Sequence, residues 1–452
     1  MKQDNTEPII QVGILTASQI SFVLNGNFIS TNNCLYTGKR LAVHRKGKIL
    51  FNGDLLDELS FEPTSANCSF DLNDVVIGID FHWQRKENQR FKGSLKMIVV
   101  GDKLTVINEI KVEDYLTSVI SSEMSANASD ELLKAHAVIS RSWLLCPLQS
   151  QEARTKNQDG KNGTEKKTIN YKQPTTNYLI KWYERDAHTH FDVCADDHCQ
   201  RYQGITRAST QSVEKAIEAT RGEVLMFEDK ICDARYSKSC GGISETFENC
   251  WAPEHYPYLT KVIDNSTKPK GFELDLTLEE NAVKWIRQSP EAFCNTTDKR
   301  VLSQVLNNYD QETTDFYRWK VEYRQAELAE IIHRRSGIDF GEIVDLIPVK
   351  RGESGRLIEL KIIGTKKTII VGKELEIRKW LSDSHLYSSA FVIDKSEIID
   401  NIPQHFTLSG AGWGHGVGLC QIGAAVMGEI GYLYNQILLH YFTGAELKRI
   451  YP

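Results

Sequence analysis

The sequence lacks the features that would assign it to a membrane or to nucleic acid. It contains no run of about eighteen apolar residues, so it predicts no transmembrane segment. Its first residues, MKQDNTEPIIQVGILTA, lack the basic stretch and apolar run of an export signal, so none is expected as the chain stands. Positive charge is not in excess, because 54 Lys and Arg oppose 60 Asp and Glu and the net charge is −6. This balance argues against nucleic acid as a partner and favours a neutral or weakly charged substrate.

The chain does have the length and the apolar content of a folded protein. Its 452 residues are more than one hydrophobic core usually accommodates, so a large domain with insertions, or two to three lobes, is expected. Apolar residues make up 41% of the chain and charged residues 25%, which is typical of globular proteins. Ten cysteines fit neither a dense disulfide scaffold nor an incidental count, so their spacing has to decide their role.

The order of strand and helix patterns predicts an α+β fold, with a β-rich N-terminal region followed by a mixed helical and β region with inserted lobes. Short β-type runs separated by Gly and Asn turns fill residues 9–110, and helical patterns follow at Val112–Met124 and Ser129–Leu145. We expect the β-rich region at 1–84 and a larger domain at 85–452. Within the larger domain we expect a polar mobile insertion at about 147–180 and a helical and β lobe at about 265–385.

One helical pattern carries an acidic residue on its apolar face. Glu123 follows Val112, Leu116 and Val119 at the spacing of a single helical face. A carboxyl group buried among apolar side chains stays protonated more readily than a solvated one, which suits a general acid. A solvated or hydrogen-bonded glutamate at the helix end is the simpler alternative. The acidic residues at Glu113 and beside it lie roughly 14 Å away along a helix, too far for a glycosidase carboxylate pair, so a catalytic Glu123 would act without a helix-mate.

The following helix pattern opens with Ser129, a favourable N-cap, and carries Arg141 on its inner stripe or flank. One interpretation of Arg141 is a surface arginine whose charged end reaches water along its apolar stem. The other is a hydrogen-bond donor to a polar substrate near Glu123.

A compact group of histidines and cysteines follows in HTHFDVCADDHCQ. It places His188, His190, Cys194, His198 and Cys199 within twelve residues. Two Cys with two His form a sufficient ligand set for tetrahedral zinc, although the adjacent His-Cys pair departs from zinc-finger spacings. Chance clustering and a redox-active pair are the alternatives. If four protein ligands bind the metal, the site is closed and therefore structural, which argues against a metallohydrolase.

The C-terminal stretch SGAGWGHGVGLCQIGAA is dense in glycine, which allows the backbone to make left-handed turns and to approach another surface closely. It lacks the Lys-Ser/Thr of a P-loop and the strand-turn-helix setting of a dinucleotide fold. Trp413 and His415 between the glycines suggest a surface across which a ring-shaped ligand lies. The earlier stretch DARYSKSCGGISETFENCW is, taken alone, an ordinary hairpin corner.

Four stretches together resemble the SpoIID/LytB family, the group of stage II sporulation protein D and the amidase enhancers. They are VEDYLTSVISSEM with LLKAHAVISRSW, then HTHFDVCADDHCQRYQG, ARYSKSCGGISETFENCW, and GWGHGVGLCQIGAAVMGEIGYLYNQILLHYFTGAEL. They stand in the family's order and span roughly residues 85–452, whereas the residues before 85 match only loosely. The resemblance therefore marks 85–452 as the expected catalytic domain.

The resemblance implies a peptidoglycan lytic transglycosylase, a carbon–oxygen lyase that cleaves the bond between MurNAc and GlcNAc in glycan strands, expected to be peptide-stripped. In such enzymes one glutamate protonates the glycosidic oxygen and then accepts the proton of the muramyl C6 hydroxyl, which leaves a 1,6-anhydroMurNAc end. That glutamate corresponds to Glu123. No water is consumed, which agrees with the missing second carboxylate.

The resemblance also implies roles for residues outside the acid. The residues implied to bind substrate are Arg141, Tyr236, Lys238, His415 and Gln421. The residues that match the family's zinc-ligand pattern are His188, Cys194, His198 and Cys199, with His190 left as the spare. Zinc is thus the expected structural metal, and no cofactor is expected for the chemistry.

Two positions depart from the family pattern. The proline usual after the "EM" pair is Ser125 here, and the serine common in the glycine-rich motif is Cys420. The rival interpretation is a non-catalytic protein that binds glycan strands and stimulates a cell-wall amidase, which would then be a partner. Both interpretations imply a place in the cell envelope or periplasm.

Overall fold

The computed structural model describes residues 6–78, 84–125, 128–158, 177–183, 188–196, 198–206, 209–305 and 314–452. The chain folds into two compact units. Unit 1 comprises Met1–Leu144, Ala187–Val224 and Lys448–Pro452, and unit 2 comprises Leu145–Asp186 and Leu225–Leu447.

Strands outnumber helices along the described chain. The strands are β1 (Ile9–Ala17), β2 (Gln19–Ser30), β3 (Leu35–Arg45), β4 (Lys48–Phe51), β5 (Asp54–Leu56), β6 (Glu58–Pro63), β7 (Ser69–Ile77), β8 (Arg85–Phe91), β9 (Ser94–Val100), β10 (Lys103–Lys111), β11 (Tyr178–Ile180), β12 (Val193–Cys194), β13 (Glu223–Phe227), β14 (Lys230–Ile231), β15 (Tyr236–Ser237), β16 (Arg318–Arg324), β17 (Ile343–Arg351), β18 (Leu357–Gly364), β19 (Thr368–Gly372), β20 (Phe391–Ile399), β21 (Ile402–Ala411), β22 (Leu419–Cys420) and β23 (Glu446–Arg449). The helices are α1 (Val112–Glu123), α2 (Asp130–Gln158), α3 (Gln211–Ala219), α4 (Phe247–Cys250), α5 (Glu279–Gln288), α6 (Lys299–Val305), α7 (Gln325–Ser336), α8 (Glu374–Trp380), α9 (Gln421–Glu429) and α10 (Tyr434–Tyr441).

Unit 1 is built on an eleven-stranded sheet in the order β12-β1-β10-β9-β6-β2-β3-β4-β5, with β7 paired to β2 and to β8. Strand β2 alternates buried and exposed residues, as expected of a strand with one face on a core. Strand β10 instead buries five consecutive residues, 104–108, so both of its faces are covered. Helix α1 begins directly at the end of β10, with Glu113 and its acidic neighbour in the first turn, where negative charge is favourable.

Unit 2 contains several smaller sheets. One has the order β11-β19-β18-β17, and another has the order β16-β21-β20. Their apolar faces share a core that includes Trp319, Leu360, Trp380 and Phe406, packed with helices α7 and α8. A short parallel pair, β15 with β22, aligns Tyr236 with Leu419.

The α+β prediction is confirmed, and the two helical patterns after residue 110 correspond to α1 and α2. The predicted boundary after residue 84 falls inside the sheet of unit 1, because β8 pairs with β7. Of the predicted insertion at 147–180, residues 147–158 continue α2 through Pro147, since Gln, Glu, Ala, Arg and Lys are good helix formers even without apolar periodicity. Residues 159–176 of that insertion lie outside the described residues. Of the helices that the structure describes, none has both the length and the apolar character that crossing a membrane requires.

Candidate functional site

Glu123 is the last residue of α1 and is half-buried. The three apolar residues of its predicted face, Val112, Leu116 and Val119, are fully buried, so the assignment of that face agrees with the structure. Glu123 is less buried than these three residues, because the helix ends there and leaves its side chain partly exposed. Its Oε1 accepts a hydrogen bond from the main-chain N–H of Arg201, at 3.3 Å. The acid is therefore both accessible and held by a backbone donor.

Residues 200–203 run along α1 and hold it at several points. The hydroxyl of Tyr115 donates to Gln200 Oε1 at 3.3 Å, and the N–H of Gln203 donates to Ser118 Oγ at 3.2 Å. Tyr202 is buried and stacks on Tyr115, with ring centroids 5.0 Å apart. These contacts position the backbone donor that reaches Glu123.

The predicted metal ligands converge immediately before that segment. The side chains of His188, Cys194, His198 and Cys199 bring one ligand atom each within 4.8 Å of all the others. Cys199 Sγ lies 3.3 Å from His188 Nε2 and 3.5 Å from His198 Nδ1, and the distance from Cys194 Sγ to His198 Nδ1 is 3.8 Å. His190 is exposed and is not part of this group.

These distances are compatible with four ligands on one tetrahedral ion. Nitrogen and sulfur bound to zinc at about 2.0–2.1 and 2.3 Å would lie about 3.6 Å apart. A hydrogen bond with Cys199 is the largest influence on Cys194 and, against the opposing effect of burial, lowers its pKa to about 3, so the thiolate that a metal needs is favoured. Cys194 is further fixed because β12 pairs with β1 opposite Gly13. A complete set of four protein ligands corresponds to a structural site.

Arg141 is fully buried inside unit 1 and faces a carboxylate. Its Nε and Nη2 donate to the two oxygens of Glu113 at 3.0 and 2.6 Å, and its Nη1 donates to the carbonyl of Glu223 at 2.9 Å. The predicted contact of Arg141 with a substrate is not part of this geometry and stays a prediction.

Glu113 gathers further donors around this ion pair. Tyr451 Oη and the N–H of Gly222 donate to its Oε1 at 2.7 and 3.1 Å. Burial opposes ionisation of Glu113, but the charge and hydrogen bonds of Arg141, with those of Tyr451 and Gly222, outweigh it and hold the pKa below its usual range. The ion pair of Arg141 with Glu113 was not predicted from the sequence, although an arginine on the inward stripe of a helix requires a buried carboxylate partner.

Two predicted substrate-binding residues lie together in unit 2. Tyr236 is half-buried in β15, opposite Leu419. Lys238, just beyond it, donates from Nζ to the carbonyl of Val305 at 2.8 Å. Gln421 is buried at the first position of α9.

His415 is half-buried beside the aromatic ring of Trp251, with ring centroids 5.0 Å apart. Its Nδ1 accepts the N–H of Val417 at 3.0 Å, and the ring also hydrogen-bonds to the backbone of Tyr236. Burial, followed by the nearby charges of Arg235 and other arginines, lowers the pKa of His415 well below its usual value. His415 is thus a neutral histidine tied to backbone groups, which ties the glycine-rich stretch to β15.

A surface hollow in unit 2, with a volume of about 400 Å³, is lined by residues that include Glu291, Phe293, Arg300 and Glu429. It contains none of the predicted site residues. Of the predicted residues, Glu123, Arg141 and the His and Cys group belong to unit 1, and Tyr236, Lys238, His415 and Gln421 belong to unit 2.

Comparison with known proteins gives two family matches. The family described as Stage II sporulation protein matches residues 100–227, which include Glu123 and the four converging His and Cys residues. A domain of unknown function (DUF8618) matches residues 245–418.

Three relatives are similar over long stretches. An uncharacterized protein of Brachyspira hyodysenteriae is 25% identical over 79% of this chain and 72% of its own length. The amidase enhancer of Bacillus subtilis is 26% identical over 52% of this chain but only 32% of its own length. Stage II sporulation protein D of Bacillus amyloliquefaciens is 21% identical over 76% of this chain and 75% of its own length. The family match over the acid and the converging His and Cys residues, together with these relatives, supports assignment of the chain to the SpoIID/LytB family.

Proposed function

We propose that this protein is a peptidoglycan lytic transglycosylase of the cell envelope that cleaves between MurNAc and GlcNAc in peptide-stripped glycan strands. The carrying observation is the placement of Glu123, half-buried at the end of α1 and held by the N–H of Arg201, two residues after the ligand Cys199. The names of the amidase enhancer and the sporulation protein support a cell-wall role.

Glu123 alone carries both proton transfers of the proposed reaction. Its carboxyl proton goes to the glycosidic oxygen as the bond from C1 to that oxygen breaks, which releases the GlcNAc hydroxyl. The carboxylate then accepts the proton of the muramyl C6 hydroxyl while O6 bonds to C1, which closes the 1,6-anhydro ring and restores the acid. The N–H of Arg201 aims the carboxylate in both steps. Neither step needs a second carboxylate or a water.

The four-residue cluster would hold zinc through His188, Cys194, His198 and Cys199. Bound zinc would supply a structural cross-link that fixes the end of the loop from which residues 200–203 extend along α1. The cluster would thereby position Glu123 without touching substrate. In the same sense Arg141 is a positioning residue, because its ion pair fixes the start of α1.

We assign substrate binding in unit 2 to Tyr236 and Lys238, with His415 and Gln421 supporting them. The half-buried Tyr236 and the ammonium of Lys238 suit the hydroxyl, amide and carboxylate groups of a glycan. His415 supports Tyr236 through its backbone contact.

The test is to incubate the purified protein and Glu123→Gln with peptide-stripped glycan strands and to analyse the products by mass spectrometry. Wild type should give anhydro-ended fragments and the variant none, with an unchanged circular dichroism spectrum. Glu214→Gln, which changes an exposed glutamate of α3, serves as the matched control and should cleave normally. Equal cleavage by Glu123→Gln would refute the assignment, and water-added ends would mean a hydrolase.

The second candidate is a non-catalytic enhancer of a cell-wall amidase, favoured by the similarity to the amidase enhancer. It predicts that wild type and Glu123→Gln bind glycan strands equally, leave them intact, and stimulate an added cell-wall amidase to the same extent.

A further inference from the structure

Unit 2 contains a second convergence of metal-type ligands, far apart in sequence. The residues are Cys240, Asp264, Cys294 and Cys420, and their ligand atoms all lie within 4.8 Å of one another. All four are buried, with exposed fractions of 3%, 0%, 1% and 0% in that order. None of them was a candidate ligand in the sequence, because no two stand within a short loop.

We propose that these four side chains form a second metal site, which binds a single thiophilic divalent ion with the ligand preference of zinc. Three thiolates and one carboxylate are a ligand set that tetrahedral zinc accepts. Two thiolates bound at about 2.3 Å in tetrahedral geometry would lie about 3.8 Å apart. The distance between Cys240 Sγ and Cys294 Sγ is 3.8 Å.

The scaffold around the cluster resembles the outer shell of a metal site. Asp264 is oriented on both sides, because its Oδ2 accepts the N–H of Cys294 at 2.8 Å and its Oδ1 accepts the hydroxyl of Tyr441 at 2.5 Å. The N–H of Cys240 donates to Cys420 Sγ at 3.3 Å, as backbone amides do to thiolates. Hydrogen bonds that orient ligating carboxylates and thiolates are typical of such shells.

A single divalent ion at this place would contact all four buried ligand atoms at once, since they converge within 4.8 Å of one another.

The guanidinium of Arg318 lies beside the cluster, where its positive charge would balance an anionic metal complex. Arg318 donates from Nη1 to the carbonyl of Gly241, the residue after Cys240, at 3.1 Å. Its other guanidinium bonds go to the carbonyls of Ile286, Trp285 and Tyr317, and no carboxylate within the described chain pairs with it. Three thiolates, a carboxylate and a divalent ion would leave two negative charges, which this arginine partly offsets.

A disulfide between Cys240 and Cys294 is the main rival. A disulfide requires sulfur atoms about 2.05 Å apart, and their separation here is 3.8 Å. It would also leave Cys420 and Asp264 packed together without a bond between them. A dry core of protonated thiols around a hydrogen-bonded Asp264 is the other rival, and the zinc content of the protein distinguishes it from the proposed site.

The test measures zinc per chain by mass spectrometry of the metal in the full, reduced protein. Wild type should carry about two zinc ions, Cys199→Ser about one, Cys420→Ser about one, and the double variant none. Cys420→Ser is the variant of choice because serine is the residue that the family resemblance places there. Cys250→Ser, which changes a buried cysteine of unit 2 outside the cluster, is the matched control and should keep about two.

A second variant distinguishes loss of the metal from misfolding of the cysteine variant. Asp264→Asn preserves shape, because the amide oxygen can accept the N–H of Cys294 while the amide NH2 donates to Tyr441 Oη, so it should fold with an unchanged circular dichroism spectrum and still lose one zinc. Cobalt added to metal-free Cys199→Ser should give the sulfur-to-cobalt absorption band of an ion bound by three thiolates. The same band should be weaker when cobalt is added to Cys199→Ser/Asp264→Asn. Zinc content that Cys420→Ser and Asp264→Asn leave unchanged would overturn the proposal, as would an intact-mass loss of two hydrogens in the protein before reduction that maps to Cys240 and Cys294.

Discussion

The two units each bury a carboxyl group deep in the protein, and they balance its charge in different ways. In unit 1, the Arg141 guanidinium contacts both oxygens of Glu113 and, with other donors, lowers its pKa despite burial. In unit 2, Asp264 receives hydrogen bonds but no cation among the described residues, and burial raises its pKa. Unit 1 therefore supplies the counter-charge of its buried carboxylate from a side chain. Unit 2 packs three thiols around an aspartate that contacts no cation within the described residues.

The clusters of histidine, cysteine and aspartate differ in exposure as well. In unit 1, His198 is exposed and the other three residues of the cluster are half-buried, all within a stretch of twelve residues. In unit 2, all four ligands are buried and come from positions as distant as Cys240 and Cys420. We therefore expect the two ions to exchange at very different rates and to support different parts of the fold.

The largest effect should follow from removing the counter-charge of unit 1. Arg141→Met should lower the free energy of unfolding of unit 1 by about 3–5 kcal/mol, because Glu113 would remain buried without its cation. Denaturant unfolding followed by circular dichroism measures the change. Glu113→Gln/Arg141→Met, which removes both charges, should recover part of the loss. If the free energy of unfolding of Arg141→Met lay within about 1 kcal/mol of the wild-type value, burial of the Glu113 carboxylate would not depend on Arg141.

The same ion pair predicts a pH dependence. Because the pKa of Glu113 is lower in the folded than in the unfolded state, its contribution is present above the unfolded value of about 4.3 and is lost as pH falls through the folded value. Glu113→Gln should therefore make the stability of unit 1 fall less steeply below about pH 4. Equal slopes for the variant and wild type would contradict the lowered pKa.

The exposure of the two clusters predicts a difference in zinc release. The half-exposed cluster of unit 1 can open locally, whereas the buried cluster of unit 2 should release its ion only on larger unfolding, at least about a hundredfold more slowly. A chromogenic chelator mixed with wild type should show one fast and one slow phase of equal amplitude. Cys199→Ser should lose the fast phase and Cys420→Ser the slow one. Simultaneous release of both ions would mean that the clusters do not differ in this way.

The clusters should also differ in their effect on glycan cleavage, if Glu123 is the acid. Cys199→Ser frees the loop that carries the Arg201 N–H, and a shift of about 1 Å in the carboxylate can cost up to about a hundredfold in rate. Asp264→Asn, which acts on the other unit, should leave the rate per folded molecule within about twofold. The anhydro-ended product measured over time gives both rates, and a large loss in the unit 2 variant alone would reverse the assignment of roles.

The sequence predicted most accurately what depends on local spacing. Helical periodicity placed α1 within one residue of its end. Spacing offered five His and Cys residues in one short stretch, and the family resemblance selected the four whose side chains converge in unit 1. The four residues of the unit 2 cluster could not be predicted together, since 180 positions separate Cys240 from Cys420 and strand pairing such as that of β15 with β22 brings their segments together. Cys420 did stand out as a departure from the family's serine, but the three partners that explain it come from other elements.

Burial was harder to predict than position. For Glu123 the spacing left open a buried carboxyl group and a solvated or hydrogen-bonded glutamate at the helix end; it is half-buried, ends α1 and accepts the N–H of Arg201. Arg141 is fully buried, which excludes the surface arginine that the sequence left open, and its partners Glu113 and Tyr451 come from a different helix and from the far end of the chain. Periodicity gives the direction of a side chain, but it does not identify the residues that the fold brings to meet it.

The smallest expected effects come from two glycines that make room beside the clusters. A Cβ built on Gly423 would overlap Asp264 Oδ1 and Tyr441 Oη, which are both buried and have no space to retreat. A Cβ on Gly13 would overlap the ring of Phe191, whose half-buried side chain can turn away. Gly423→Ala should therefore lower zinc in unit 2 by a measurable fraction, whereas Gly13→Ala should leave both ions in place. If Gly423→Ala keeps two zinc ions and wild-type stability, the carboxyl of Asp264 is not held in the place that the buried site requires.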